Sequence, residues 1–202
     1  MRVLVVGATG TIGRAVVDAL RADHEVIGVS RNEGPARVDI TRPDSIRDMY
    51  EKIGEVDAVV SCAGGAAWKP LAELTDADFD LSLKYKLMGQ VNLVRRGVQY
   101  VRGGGSFTLT SGILAQHPMP NSAATSLVNA AIEGFGRAAA LELPRGIRIN
   151  VVSPDWVSET LARMGQDPAQ GVPAAEVARA YVASVIGRDT GTVIPVLSVP
   201  VS

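Results

Sequence analysis

The chain opens on Arg2-Val3-Leu4-Val5-Val6, a short run that is almost wholly apolar and largely β-branched, and then breaks into a glycine-rich turn. Ala15, Val16, Ala19 and Leu20 follow at helical spacing. An unbroken apolar run of this length predicts a strand buried on both faces of a parallel sheet. Comparable runs predict further strands over 25–29, 36–40, 56–61, 107–110, 147–152 and 193–196. Between them lie helical patterns. The first of these, over 43–53, has Thr41-Arg42-Pro43-Asp44 supplying a cap and a proline in its first turn. A loose apolar stripe of Leu83, Leu87, Val91, Val94 and Val98 predicts a helix over about 75–101, ended by Gly103-Gly104-Gly105. Further helices are predicted over about 122–143 and 174–186. Strands that alternate with helices throughout call for an α/β chain: a doubly wound parallel sheet of about seven strands with helices on both faces.

The first turn narrows this picture to a Rossmann-type sheet. Gly7-Ala8-Thr9-Gly10-Thr11-Ile12-Gly13 stands between a strand and a helix, with spacing G-x-x-G-x-x-G rather than G-x-G-x-x-G. Glycines let the backbone turn sharply and come close to phosphates, while the free N–H groups at the helix start face the negative charge. The turn therefore predicts a dinucleotide site. An NAD site places an acid at the end of the second strand to accept from the ribose 2′-hydroxyl. Here that strand ends in Ser30-Arg31. A guanidinium suits a 2′-phosphate, so NADP is the expected cofactor; the alternative is an ordinary surface arginine. Cys62-Ala63-Gly64 follows the strand over 56–61, where the loop would lie beside the cofactor ribose.

Composition limits the remaining possibilities. At 202 residues the chain suits one dinucleotide-binding domain over 1–202, with 47% hydrophobic and 20% charged residues. A net charge of −1 and the absence of a basic, aromatic-studded face argue against nucleic acid. The single cysteine permits no intrachain disulfide and fits a reducing compartment. No apolar stretch is long enough to span a bilayer, and the first apolar run is too short for a secretory core. The expectation is a soluble cytoplasmic protein with a small-molecule substrate, no membrane or nucleic-acid partner and no metal.

Taken together, the motifs resemble one family, the short-chain dehydrogenase/reductases, over nearly the whole chain. Gly7 to Gly13 is similar to the family's cofactor turn in its atypical members. Val38-Asp39-Ile40 resembles the segment whose Asp reaches the adenine, and Cys62-Ala63-Gly64 is similar to the Asn-Ala-Gly after the fourth strand. Thr110-Ser111-Gly112 resembles the segment that carries the active-site Ser. Ala140-Leu141-Glu142-Leu143, with the run from Gly146 to Pro154, is close to the family's C-terminal signature. The resemblance implies an oxidoreductase acting on a carbonyl/alcohol pair, and a homodimer formed through two long helices. In the second of these, Ala130, Ala131, Gly134 and Ala138 are small.

The departures fall on the catalytic positions. The family uses a Tyr as acid/base, a Lys four residues later, a Ser, and an Asn on the preceding helix. The Tyr place falls here on Thr125 and the Lys place on Asn129, and Lys86 of Lys86-Leu87-Met88-Gly89 stands where the family has Asn. No Tyr occurs between Tyr100 and Tyr181, and no Lys follows Lys86. A hydroxyl such as that of Thr125 has no pKa near the working range, so another donor is required. Lys86 is the first candidate, since burial lowers an ammonium pKa. His117 is the second, being the side chain that ordinarily titrates near neutrality. Each has a structural alternative, as does Ser111. Tyr85, one residue from Lys86 on a helix, is expected to face away. Pro154-Asp155 replaces the family's Pro-Gly, and the resemblance implies that the backbone of Val157 holds the carboxamide. Two functions stand: an NADP(H)-dependent oxidoreductase with a non-standard proton donor, or a catalytically inactive NADP(H)-binding sensor.

Overall fold

The computed structural model describes residues 1–198. Six parallel strands form one sheet in the order β2-β1-β3-β4-β5-β6. They are β1 (Arg2–Val6), β2 (Glu25–Val29), β3 (Val56–Ser61), β4 (Val101–Thr110), β5 (Arg148–Pro154) and β6 (Val193–Val196). Consecutive residues of a strand point to opposite faces. Val3 and Val5 of β1 accordingly join one buried cluster, while Leu4 and Val6 join the other. On the first face lie α1 (Thr11–Leu20) and α7 (Ala174–Ile186), the latter preceded in the chain by the short α6 (Ser158–Arg163), and they contribute Val16, Leu20, Val177 and Tyr181. On the second lie α2 (Pro43–Ile53), α4 (Gly89–Gly97) and α5 (Ala123–Ala139), contributing Ile46, Tyr50, Leu93 and Ile132. A doubly wound sheet places its binding crevice at the carboxyl ends of the strands, where the order reverses between β1 and β3. Among the described residues no helix is long and apolar enough to cross a membrane.

The sheet has six strands, not about seven. Residues 36–40 are not paired, although Val38 and Ile40 are buried on either side of Asp39. Their alternation comes from packing rather than from a ladder: the Asp39 N–H donates to Ser45 Oγ at 2.9 Å, and Val38 N–H makes a single bond to the Ser30 carbonyl.

The helix expected over 75–101 is also divided. It consists of α3 (Asp76–Ser82), a π-helical segment (Leu83–Met88) and α4. Asp78 and Thr75 close a capping box at its start. Gly103 to Gly105 do not end that helix but lie inside β4, at a register shift against β3. A Cβ on Gly105 would stand 2.4 Å from the Asp57 carbonyl, so only glycine lets the strands approach there. Helix α5 stops at Ala139, short of 143, because Pro144 cannot continue it and Arg145 and Gly146 turn the chain with positive φ.

Candidate functional site

Two cavities lie at the carboxyl ends of the strands. The outer one, about 350 Å³, is walled by Gly7, Thr9 and Gly10, by Ser30 and Arg31, by Ile40, and by Cys62, Ala63 and Gly64. Its floor is the first turn. Gly7 has φ of +86°, and its N–H and that of Ala8 donate to the Val29 carbonyl at 2.8 and 3.1 Å. A Cβ on Gly13 would lie 2.0 Å from the Gly7 carbonyl oxygen, which shows how tightly α1 closes on the turn. Gly10 is the N-cap and supplies no side-chain cap, so the first amides of α1 are left for a ligand. An uncapped helix start behind glycines that have no room for side chains fits a diphosphate. Thr11 and Gly13 belong to this turn through their backbone, whereas the side chain of Ile12 lines the second cavity.

Arg31 sits at the upper rim, 3.9 Å from Asp39, with its guanidinium 5.4 Å from the ring centre of Tyr85. Burial raises the Asp39 pKa, but hydrogen bonds from Thr41 and the charges of Arg31 and Arg42 outweigh it and hold the carboxyl below its ordinary value. Tyr85 was no sequence candidate for this cleft. It lines the outer cavity while its neighbour Lys86 lines the inner one. Consecutive helical residues face different ways, and the pair sits in the π-helical segment, a rare form that is frequent at functional sites.

The inner cavity, about 230 Å³, gathers Lys86, Ser111, Thr125 and Asn129 beneath apolar walls that include Ile12 and Leu114. The Lys86 ammonium donates to the Ser111 carbonyl at 3.0 Å. Withdrawal from water lowers its pKa to about 8, with only partial opposition from Cys62. Burial pushes the Cys62 thiol up to about 12, so it stays protonated and lacks the thiolate a nucleophile needs. Thr125 donates to the Ala67 carbonyl at 3.1 Å. Asn129 is 2% exposed and its Oδ1 has no hydrogen-bond partner among the described residues. An orphaned buried acceptor in a cavity wall is an open position for a ligand donor. His117 is not part of this group; it lines an adjoining cavity of about 330 Å³.

A further residue, bonded to this site through Ser111, escaped the sequence reading. Glu133, 2% exposed, accepts from Ser111 Oγ at 2.9 Å and from Ser153 Oγ at 3.3 Å, and is bonded by the Gln116 side-chain amide. The signal was its position, four and eight residues after Asn129 and Thr125, on one face of α5. The end of β4 is fixed independently. Gln90, fully buried, bonds both the N–H and the carbonyl of Thr110 at 2.8 Å, and Tyr181 Oη lies 2.6 Å from Thr110 Oγ1. Pro154 and Val157 line the far wall. The Val157 carbonyl already accepts from Thr160 and Leu161, which leaves its N–H as the backbone group to offer.

Residues 7–193 match the sequence profile of a family described as enoyl-(acyl carrier protein) reductase. The chain belongs to the short-chain dehydrogenase/reductase family. A protein of Listeria innocua with a known crystal structure is 44% identical, with a TM-score of 0.93 over 97% of this chain and 99% of that one. A small-chain dehydrogenase crystallised with NADPH is 27% identical, with a TM-score of 0.87 over 98% and 97% of the two chains. The L-xylulose reductase of Homo sapiens is 30% identical over 183 residues, 82% of this chain and 74% of that protein. Other relatives are longer still: the chain covers 57% of the hydroxynaphthalene reductase of Aspergillus fumigatus, to which it is 28% identical.

Proposed function

We propose that this short-chain dehydrogenase/reductase binds NADP(H) in the outer cavity and interconverts a carbonyl and an alcohol in the inner one, with Lys86 as the proton donor. The observation that carries this reading is the half-buried ammonium of Lys86, in the wall of the inner cavity, with its pKa lowered to about 8 by desolvation. A bound nicotinamide supplies or accepts the hydride. The protein then has to place the carbonyl and move one proton. Lys86 has a single hydrogen-bond partner in the described structure, the Ser111 carbonyl, which leaves N–H donors for a substrate oxygen. Ser111 Oγ commits its proton to Glu133 and so offers a lone pair, and the Asn129 Oδ1 accepts from a ligand hydroxyl. Thr125 and Asn129 stand where the family has Tyr and Lys, which favours a second reading, a cofactor-binding sensor without turnover. A screen of carbonyl compounds for NADPH consumption, run beside a direct NADPH titration, separates the two: binding without any consumption decides for the sensor.

The cofactor choice rests on Arg31. Its guanidinium at the tip of β2, held by Asp39 and Tyr85, suits a 2′-phosphate. NADPH is expected to bind more tightly than NADH by about tenfold or more, the scale of a charge-assisted hydrogen bond, and Arg31→Ala to erase most of that difference. Equal affinities in a titration of the unmodified protein would count against the assignment.

A homodimer is part of this proposal. Leu127, Ala130, Gly134 and Ala138 are exposed along one stripe of α5, and a Cβ on Gly134 would meet nothing within 4 Å. A smooth stripe of small residues beside exposed Leu81 and Met88 lets a second helix pair approach closely. Light scattering should return twice the chain mass; a monomeric mass rejects this interface.

A further inference from the structure

We infer that the substrate carries a positive charge at the end remote from its carbonyl, recognised by Asp155 in the trough that the two tryptophans of the chain also line. The inference rests on the reading of the inner cavity as the substrate site. That cavity and the adjoining one share Ile113, Leu114, Asp155 and Trp156, so they form one trough leading from Lys86 outward. The charges along it are arranged by position. Among the described lining residues, Lys86 at the inner end is the only Lys or Arg, and Asp155 at the junction is the only acid.

The carboxylate is held in place rather than left to swing. The Asp155 N–H donates to the Val196 carbonyl at 2.8 Å, its Oδ1 accepts from the Trp156 N–H at 2.7 Å, and its Oδ2 accepts from Ser198 Oγ at 2.9 Å. These neighbours are neutral, so the negative charge has no cationic partner among them. Beside it the rings of Trp68 and Trp156 pack edge to face at 5.5 Å. Indole faces attract cations through the ring quadrupole, and a fixed carboxylate beside them adds a charge-assisted acceptor. A ligand that fits presents its carbonyl oxygen to Lys86, an apolar body to Ile113 and Leu114, and an ammonium to Asp155. Carboxylated or phosphorylated compounds meet repulsion at the same point.

His117, which lines the outer end of the trough, is the other group able to carry charge there. The probes are three acetophenones that differ only in the group at the fourth ring position: aminomethyl (cation), hydroxymethyl (neutral) and carboxylate (anion). Binding is read by calorimetry and by intrinsic fluorescence, corrected for probe absorbance. Both tryptophans of the chain line this trough, so their emission responds to a ligand bound in it. The aminomethyl probe should bind about tenfold tighter than the neutral one and tighter still than the anion. Asp155→Asn, which keeps an oxygen acceptor for the Trp156 N–H and turns an amide N–H donor to the Ser198 hydroxyl oxygen, should bring cation and neutral probe within about twofold. A neutral or anionic probe that binds as well as the cation overturns the inference on the unmodified protein alone, whether or not the variant folds. A preference that survives in Asp155→Asn also overturns it. An NADPH titration run alongside keeps the two readings apart. Tight cofactor binding without a charge preference removes only this inference, and a charge preference without cofactor binding supports it while removing the proposed function.

Discussion

Lys86→Ala should lower carbonyl reduction by about 10²–10⁴-fold, the usual contribution of a positioned proton donor, while leaving NADPH affinity nearly unchanged. The two effects separate because the Lys86 ammonium reaches the inner cavity, whereas the turn and Arg31 line the outer one. The sign of the pH dependence follows from the same group. Burial lowers its pKa to about 8, so below that value the side chain is an ammonium and can give a proton. Reduction should therefore be fastest below about pH 8 and fall as pH rises through it, and oxidation of the corresponding alcohol should show the reverse. Initial rates across that range, on whichever carbonyl compound the screen returns, check both points. Turnover that survives the substitution, or a reduction rate that is flat through pH 8, removes Lys86 from the mechanism.

Gly13→Ala should abolish cofactor binding and destabilise the protein even without ligand. The added methyl would lie 2.0 Å from the Gly7 carbonyl oxygen and 2.8 Å from the Gly7 carbonyl carbon, both backbone atoms. Gly7 cannot retreat, since a Cβ placed on it would itself meet the Cys62 carbonyl carbon at 2.8 Å and its N–H is bonded to Val29. Overpacking of a closed site costs about 3 kcal/mol, which for a chain of this size is about 10 °C in Tm. Thermal unfolding of the ligand-free variant measures the first effect and NADPH titration the second. A variant with native Tm and native affinity would show that the turn is looser than described.

The parts of the fold set by local chemistry were readable from the residues. The turn from Gly7 to Gly13, the helices ending at Ile53 and Ile186 and the strand at Val193–Val196 stand where their patterns put them. What was misread depended on partners distant in sequence. Val38 and Ile40 alternate like a strand, but their backbone is engaged by Ser30, and that of Asp39 by Ser45, rather than by a neighbouring strand. Gly103 to Gly105 look like a helix stop because their use, clearance beside Asp57, exists only once β3 and β4 pair.

The site shows the same division. Lys86, Ser111, Thr125 and Asn129 line one cavity, while His117 lies outside it. Glu133 is a single acid in a run of Ala, Ile and Gly on α5, and its importance follows only from the arrival of Ser111, Gln116 and Ser153 from other segments.

Tyr85 and Lys86 are consecutive, and the irregular helical turn that bears them serves both chambers with one piece of backbone. The chamber proposed for the cofactor and the amine proposed as proton donor are in that sense geared together: a shift of the peptide between Tyr85 and Lys86 displaces ring and amine at once. Altering the aromatic side chain to retune nucleotide preference is therefore not a local edit, and its effect belongs in the rate measurements as much as in the binding isotherm.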